Sequence, residues 1–320
     1  MSTLPNLSWL RWAILPLTRI HVPVVSAKLA ELVEGRQGTH GNMRVRVRGL
    51  EWDLDLSEQI DLKVFYLGTH ERFTTARLLR LVRPGDVVFD VGANIGYFTL
   101  LAAREVGAAG NVYAFEPMRH AHDRLAEHVR LNSLANVRAE KSAVGATPAE
   151  GIEVSFRSSY RVFDDEARPV STGTERVPMT TIDEYVERHG ISRIDLMKVD
   201  TDGFEFEVIA GAHRTLERLR PTLIIEIGRE ATSPASGAGP RELLQKLASC
   251  GYEFYAERTM RRLAGINQVV ESLPPGPLTT NVVCVHPESS AAVRAESSGA
   301  LREFARAFAP STSPFGSRSR

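Results

Sequence analysis

Residues 87–96 read VVFDVGANIG, an apolar run that ends in aspartate and passes into a glycine-bearing turn. A turn signal, Pro84-Gly85-Asp86, precedes the run, and residues 97–106 have the apolar spacing of a helix. The stretch therefore predicts a buried strand, a tight turn and a helix in succession. Such a unit is typical of open α/β sheets, in which ligands bind beyond the carboxyl ends of the strands.

The same alternation of apolar run and helical pattern continues along the chain. Further buried strands are predicted at 112–115, 137–143, 194–199 and 223–227, and helices at 117–131, 182–188, 204–219 with an interruption near Gly211, and 241–249. Continuous apolar strands separated by helices indicate a doubly wound, mostly parallel sheet covered on both faces. The runs at 252–256 and 282–285 have no clear helix between them, which predicts an antiparallel edge.

Composition shifts predict three regions. Residues 1–65 are expected to form an N-terminal extension with amphipathic helices within 10–33, which would suit a homodimer contact. No uninterrupted run of about 18 apolar residues occurs there, so no membrane span is expected. Residues 66–286 are predicted to form the main domain, with an insertion or hairpin at 145–175 and a strand at 152–156. The tail 287–320 is expected to be largely disordered.

Charge and cysteine usage narrow the function classes. Lysine plus arginine equals aspartate plus glutamate at 39 each, so no overall field favours a nucleic acid partner. Cys250 and Cys284 lack pairing or metal-site spacing, which indicates buried thiols and a cytoplasmic location. The histidines His120, His122 and His128 lack the acidic spacing of a zinc site, and no metal site is predicted.

The turn after the first strand predicts a cofactor that contains adenosine. Gly92 and Gly96 let backbone approach a ligand, and the following helix points free N–H groups towards it. Glu116, at the end of the second strand, can accept hydrogen bonds from both hydroxyls of a ribose. Nicotinamide dinucleotides and S-adenosylmethionine both contain this group.

Two features of the turn favour S-adenosylmethionine. Dinucleotide-binding turns follow Gly-x-Gly-x-x-Gly, but Asn94 and Tyr97 stand here at the second and third glycine positions. Asp90 at the strand end suits a cofactor that carries an ammonium group. An NAD(P)-dependent oxidoreductase is the alternative that these residues leave open.

Three segments, DVGANIGY at 90–97, YAFEP at 113–117 and KVDTDGFE at 198–205, resemble the FkbM-type methyltransferases. The similarity continues over 208–212 and 220–226 and upstream over 68–71 and 82–86, so that it spans about residues 66 to 230. One departure is visible. The family often has Asp-Val-Glu-Gly where this chain has Asp200-Thr201-Asp202-Gly203, which shortens the second carboxylate by one methylene.

The resemblance implies a Rossmann-like class I methyltransferase fold, with seven strands in the order 3-2-1-4-5-7-6 and the seventh antiparallel. It also implies S-adenosylmethionine as the cofactor, an acceptor hydroxyl on a natural product or on a sugar or glycan, and an O-methyltransferase activity. The implied cofactor-binding residues are Asp90, Gly92, Ala93, Asn94 and Gly96 around the turn, Glu116 at the ribose, and Ser142 and Ala143 near the adenine.

A hydroxyl acceptor needs a base, and three carboxylates are candidates. Asp200 ends the fourth strand and is the first choice, and Glu226 near the end of the fifth is the second. Glu71 lies before the sheet and would have to close over the site. Asp200 has an alternative role in holding the cofactor's ammonium group, and Glu226 has one as a structural hydrogen-bond partner. A catalytically silent module that only binds S-adenosylmethionine also stays open.

Overall fold

The computed structural model describes residues 42–56, 58–157, 172–229, 233, 235–276 and 278–289. The helices expected within 10–33 and the tail beyond 289 lie outside these residues. The chain divides into two compact units. The first comprises residues up to Arg72 together with 130–133 and 155–175, and the second comprises the remainder.

The first unit contains a β-hairpin. Strands β1 (Asn42–Val47) and β2 (Leu50–Asp55) pair antiparallel through a turn at Arg48-Gly49, where both residues have positive φ. The backbone of Glu51 makes two hydrogen bonds of 2.8 Å with the side chain of Asn132, one in each direction. Helix α1 (Gln59–Leu67) follows and ends at Gly68 in the left-handed conformation.

The second unit holds the predicted α/β sheet. Its elements, after helix α2 (Arg72–Leu81), which begins at the unit boundary, are β3 (Val87–Val91), α3 (Tyr97–Val106), β4 (Asn111–Phe115), α4 (Arg119–Leu131), β5 (Val137–Glu140), β6 (Ala143–Val144), β7 (Ala149–Arg157), β8 (Thr172–Thr180), α5 (Ile182–Arg188), β9 (Leu196–Val199), α6 (Glu205–Ala210), α7 (His213–Arg218), β10 (Thr222–Gly228), α8 (Pro240–Ser249), β11 (Glu253–Ala256), β12 (Arg262–Leu263), α9 (Ile266–Ser272) and β13 (Thr279–Val285).

The strand order of the main sheet is β5-β4-β3-β9-β10-β13-β11-β12. The pairs among β5, β4, β3, β9 and β10 are parallel, whereas β13 is antiparallel to both β10 and β11. Numbered among the seven main strands, this is the expected order 3-2-1-4-5-7-6 with the seventh antiparallel, so the predicted fold class is confirmed. The two-residue strand β12 adds an eighth member at the edge. All four residues of β9 are buried, as expected for a central parallel strand covered on both faces.

Two predictions of secondary structure are wrong, one about a helix and one about the end of a strand. Helix α9 connects β12 to β13, where no helix was expected. It has seven residues and buries only Val269, so its apolar periodicity is too short to stand out. The third strand ends at Glu140 instead of 143, because the chain then enters a second sheet with the order β6-β8-β7.

The insertion contains two strands of that second sheet. β7 spans Ala149–Arg157, longer than the strand predicted at 152–156, and residues 158–171 lie outside the described part of the chain. The predicted helix over 204–219 is interrupted near Gly211, as expected. A Cβ on Gly211 would lie 2.0 Å from the carbonyl oxygen of Gly145, so the interruption is where this helix meets the start of the insertion.

Cys250 and Cys284 are buried free thiols. Among the described residues, no helix is both long enough and apolar enough to span a membrane.

Candidate active site

The turn between β3 and α3 is held open by two glycines with positive φ, Gly92 at 84° and Gly96 at 88°. A Cβ on Gly92 would lie 1.7 Å from the backbone carbonyl oxygen of Asp200, and one on Gly96 would lie 2.5 Å from a methyl group of Leu125. Both glycines were expected from the sequence because they let a ligand approach the backbone closely. The structure adds a second reason, because the end of β9 and helix α4 pack directly against the turn.

The backbone of the turn is fixed by β4 and by its own side chain. The amides of Gly92 and Ala93 both donate to the carbonyl of Phe115 at 3.0 Å. Asn94, with φ of 49°, accepts a hydrogen bond from the amide of Ile95 on its Oδ1 at 2.8 Å. These hydrogen bonds define the path of the turn.

His128 on α4 contacts the turn, a role that the sequence did not indicate. Its ring is buried on α4, and Nδ1 lies 2.8 Å from the carbonyl oxygen of Ile95. The histidine repeats on this helix were considered only as metal ligands. One of three histidines on an amphipathic helix gave no signal of a contact with a loop 33 residues away.

Glu116 lies at the end of β4 and joins the turn through its carboxyl group. Oε2 accepts a hydrogen bond from the amide of Asn94 at 2.8 Å, and Oε1 accepts one from the amide of Met118 at 2.9 Å. Burial raises the pKa of Glu116 to about 7 against the effect of these two donors, and the charges of Asp202 and Asp90 raise it further. Each carboxylate oxygen keeps a second lone pair, so Glu116 can still accept ribose hydroxyls.

Asp90 carries an unsatisfied oxygen. The residue is buried, its Oδ2 accepts a hydrogen bond of 2.5 Å from Thr99 Oγ1, and its Oδ1 has no partner among the described residues. Burial raises the pKa of this carboxyl, and the positive charge of Lys198 opposes the shift. A buried carboxylate oxygen without a donor is costly, so the position fits a ligand that brings an ammonium group.

Ser142 lies two residues after β5, and Ala143 begins β6. β5 pairs with β4, the strand that leads to Glu116. The amide of Glu116 donates to the carbonyl of Glu140 at 3.0 Å, which keeps these strand ends together. Ser142 Oγ lies 2.8 Å from the carbonyl oxygen of Ala143 and 3.1 Å from that of Pro178. Its hydroxyl is thus engaged with backbone, and the predicted adenine contact of both residues stays a prediction.

Asp200 and Glu226 form an acid pair across the neighbouring parallel strands β9 and β10. They follow Val199 and Ile225, which are partners in the β9–β10 register, and Thr279 Oγ1 donates to Glu226 Oε1 at 2.5 Å. Burial and then the charge of Asp200 raise the pKa of Glu226 to about 8. The structure therefore brings the two predicted bases together at the carboxyl ends of β9 and β10.

Lys198 is the other partner of Asp200. Its Nζ lies 2.6 Å from Asp200 Oδ2, and its side chain is almost completely buried. The sequence quoted this lysine within a motif but gave it no role. A lysine inside an apolar strand is a usable signal, because a buried ammonium group must have a partner.

The loop after β9 is fixed by Glu205 at the first position of α6. Its Oε1 accepts hydrogen bonds from the amide of Thr201 at 2.8 Å and from the amide of Gly203 at 3.2 Å. A carboxylate at a helix N-terminus is favourable, and here it also sets the path of the chain that leaves Asp200. Asp202, whose reach the family comparison put in doubt, has φ of 52° and an exposed side chain.

A buried polar network continues from the acid pair. Asn281 stands opposite Glu226 in the β10–β13 register, and its Nδ2 donates to Thr74 Oγ1 at 3.1 Å. Thr74 Oγ1 in turn donates to Glu257 Oε1 at 2.6 Å, and Arg77 Nε donates to the carbonyl of Glu257 at 2.5 Å. Helix α2 is thereby anchored beside the acid pair.

Glu71 belongs to the first compact unit. Its Oε1 lies 3.2 Å from His70 Nε2. Its catalytic role stays a prediction. Among the described residues, no group of three or more histidine, cysteine, aspartate or glutamate side chains is arranged to hold a metal ion.

The strand order, the glycine turn and the two acidic strand ends define a class I methyltransferase architecture. The family model described as "Methyltransferase FkbM domain" matches residues 90–254, just over half of the chain. The chain belongs to this family, and the predictions of the family and of S-adenosylmethionine as its cofactor are confirmed.

Individual relatives are more distant. The chain is similar to the hexuronic acid methyltransferase AglP of Haloferax volcanii, with 27% identity over 53% of this chain and 65% of that protein. It is also similar to the 31-O-demethyl-FK506 methyltransferase FkbM of Streptomyces tacrolimicus, with 30% identity over 41% of this chain and 60% of that protein. The matches thus span less than two thirds of these relatives. A crystal structure of a methyltransferase FkbM from Methylobacillus flagellatus KT aligns with a TM-score of 0.39 at 14% identity, covering 69% of this chain and 52% of that one.

Proposed function

We propose that this protein is an S-adenosylmethionine-dependent O-methyltransferase that acts on a hydroxyl group of a small natural product, a sugar or a glycan. The observation that carries the proposal is the contact between the glycine turn and the end of β9. A Cβ on Gly92 would lie 1.7 Å from the carbonyl oxygen of Asp200. The turn that fits the cofactor and the acid pair that fits a base therefore belong to one site.

Each residue of the site has a separate proposed role. Asp90, with its unpartnered Oδ1, holds the ammonium group of the cofactor, and Glu116 holds the ribose hydroxyls. Bound S-adenosylmethionine supplies an electrophilic methyl group on a sulfonium. Asp200 accepts the proton of the acceptor hydroxyl, a contribution of about 10²–10⁴-fold for a well-placed base. Glu226 lies beside Asp200, and burial together with the charge of Asp200 raises its pKa.

The charges of the site favour a neutral acceptor. The carboxyl groups around the turn and the acid pair are those of Asp90, Glu116, Asp200, Asp202 and Glu226. The ammonium group of Lys198 is already paired with Asp200. A carboxylate acceptor would meet like charge in a site of low dielectric, whereas a hydroxyl would not. We therefore place the neutral hydroxyls of natural products and sugars before uronic acid carboxylates.

The test begins with calorimetric titration of the full chain with S-adenosylhomocysteine and, separately, with NAD. Binding of the homocysteine compound alone, in the micromolar range, is the expected result. Methyl transfer from labelled S-adenosylmethionine is then measured with matched acceptors, such as a hexose and the corresponding hexuronic acid. Binding of NAD alone would replace the proposal with an oxidoreductase, and tight cofactor binding without transfer to any acceptor would leave a binding module.

A further inference from the structure

We propose that Phe204 and Leu278 contact the acceptor and select one that carries an apolar ring face or an alkyl group beside its reactive hydroxyl. The inference rests on the proposed function and deepens it, because it names the part of the acceptor that is recognised next to the acid pair. It depends on where the two side chains lie and on what surrounds them.

The two side chains are exposed at the same edge of the main sheet. Phe204 is 39% exposed and Leu278 is 62% exposed, and the other exposed large apolar side chain among the described residues, Leu67, lies in the first compact unit. Phe204 follows β9, and Leu278 directly precedes β13. Because β13 is antiparallel to β10, its first residue pairs with the last residue of β10. β9 and β13 are the two neighbours of β10, so the two side chains flank the strand that carries Glu226.

Each of the two side chains is one residue away from a group that borders Glu226. Thr279, next to Leu278, donates its Oγ1 to Glu226 Oε1 at 2.5 Å. Gly203, next to Phe204, lines the same cleft as Glu226. The exposed apolar groups and the acid pair therefore belong to one surface.

The cleft beside Glu226, between the N-terminal ends of α6 and α8, is too small for the acceptor itself. It has a volume of about 20 Å³, and Glu205 and Leu243 are among the residues that line it. A volume of that size holds about one water molecule. An acceptor ring therefore lies outside the cleft, on the surface where Phe204 and Leu278 are exposed.

The combination of acids and apolar side chains determines which acceptor fits. Small-molecule sites combine apolar walls with a few polar groups that fix the orientation of the ligand. Asp200 and Glu226 are the polar groups here, and the electron-rich face of the Phe204 ring attracts the C–H groups of a saturated ring. Leu278 adds an aliphatic surface that is stabilised by burial against an alkyl group. A fully hydroxylated ring would instead leave hydroxyls without hydrogen-bond partners against Leu278.

The first test compares butyl glucoside with methyl glucoside, two acceptors that differ only in the length of the alkyl group, at saturating S-adenosylmethionine. The wild type should use butyl glucoside with a kcat/KM about ten- to a hundredfold higher, as apolar contacts allow between related substrates. Phe204→Ser and Leu278→Ser should each lower this ratio by at least about fourfold, the value of one buried methylene group. Phe204→Tyr keeps the ring and should retain the ratio. An unchanged ratio in both serine variants would overturn the inference.

The second test needs no methyl transfer. Saturation-transfer NMR is recorded for butyl glucoside in the presence of the full chain and S-adenosylhomocysteine. The butyl protons should receive magnetisation from the wild type and from Phe204→Tyr, and lose most of it in Phe204→Ser and Leu278→Ser. Both side chains are exposed, so the serine variants should unfold at the same urea concentration as the wild type. A changed oligomeric state in these variants with an unchanged NMR signal would assign the two residues to a protein contact and overturn the inference.

The two tests separate this inference from the proposed function. Absence of methyl transfer to any hydroxyl acceptor, with an NMR signal that the serine variants lose, would overturn the function and keep the apolar binding surface. Methyl transfer with an unchanged ratio would keep the function and overturn the inference. Absence of an NMR signal in the wild type would overturn the inference whether or not methyl transfer occurs.

Discussion

The two halves of the site are built by different means. In the cofactor half, residues 90–96 with Glu116, most polar atoms meet main-chain groups, such as the amides of Asn94 and Met118 that bind Glu116. In the acid half, Lys198, Asp200 and Glu226, side chains meet one another across neighbouring strands. Main-chain contacts restrict which residue types are allowed at each position, whereas side-chain pairs can be made by many sequences. Substitutions in the cofactor half should therefore mainly lower the stability of the fold, and substitutions in the acid half should mainly lower kcat.

The largest effect is expected at Asp200. Asp200→Asn removes the proposed base and should lower kcat by about 10²–10⁴-fold, because the acceptor hydroxyl then loses the group that is proposed to take its proton. The affinity for S-adenosylhomocysteine should change little, since Asp90 and Glu116 are the residues proposed to hold the cofactor. Steady-state kinetics at saturating cofactor and calorimetry give the two numbers.

Asp202→Asn is the matched control, because it changes the same residue type two positions away on an exposed side chain. It should keep kcat within about tenfold of wild type, less than the effect expected of a base. A parallel fall of kcat and cofactor affinity in Asp200→Asn would contradict the division of the site into a cofactor half and an acid half. Asp200 would then belong to the cofactor half, as the ligand of the ammonium group.

The next largest effect is on folding, at Gly92. Gly92→Ala combines an unfavourable φ of 84° with a Cβ that would lie 1.7 Å from the carbonyl oxygen of Asp200. Strain of about 1–2 kcal/mol from the dihedral angle and about 1–3 kcal/mol from the collision should lower the free energy of unfolding. Urea denaturation measures the sum.

Gly85→Ala separates the two contributions. Gly85 has the same φ of 84°, but a Cβ there would have no neighbour within 4 Å. Its cost should be the dihedral strain alone. Equal destabilisation by both substitutions would show that the end of β9 moves away freely, and that the turn is not locked to the acid half.

The first half of the site was predictable from sequence for a physical reason. A positive φ at Gly92 and Gly96 excludes most side chains, and a carboxylate such as Glu116 must follow the neighbouring strand if it is to reach the same ligand. Residue type and position are thus tied together by the backbone, and they are visible in the chain. The strand order was implied by the family resemblance and is confirmed.

The second half was only partly predictable. Asp200 and Glu226 were identified as acids at strand ends, but the raised pKa of Glu226 comes from burial and from the charge of Asp200, and its hydrogen bond comes from Thr279, 53 residues away. The support of the turn by His128 and the anchoring of Thr74 by Asn281 also join distant parts of the chain. One sequence gives no means to pair such residues. Helix α9 was missed because its single buried residue makes no periodic pattern.

The cofactor half can be divided further with a smaller ligand. Asp90→Asn should weaken binding of S-adenosylhomocysteine by about ten- to a hundredfold, the usual value of a hydrogen bond between charged groups. Binding of methylthioadenosine should not change, because that ligand lacks the amino acid part. Glu116→Gln should weaken binding of both, since it alters the ribose contact. Equal losses for both ligands in Asp90→Asn would place Asp90 near the ribose instead.

The effect that is smallest when measured over a single pH unit is a pH dependence of stability that comes from Glu226. Its pKa rises from 4.5 to about 8 on folding, so the folded state holds the proton more tightly than the unfolded chain. The stabilising contribution is therefore complete below about pH 4.5 and is lost as the pH rises through about 8. Relative to Glu226→Gln, the unfolding free energy of the wild type should fall over this range by at most about 1.4 kcal/mol per pH unit.

Urea denaturation of both proteins at several pH values measures this difference, and Glu187→Gln at an exposed position is the control for the substitution itself. A difference that does not vary with pH would show that Glu226 titrates alike in the folded and unfolded chains. Burial and the charge of Asp200 would then have no net effect on the titration of Glu226. In that case Glu226 would be ionised at neutral pH and would compete with Asp200 as the base.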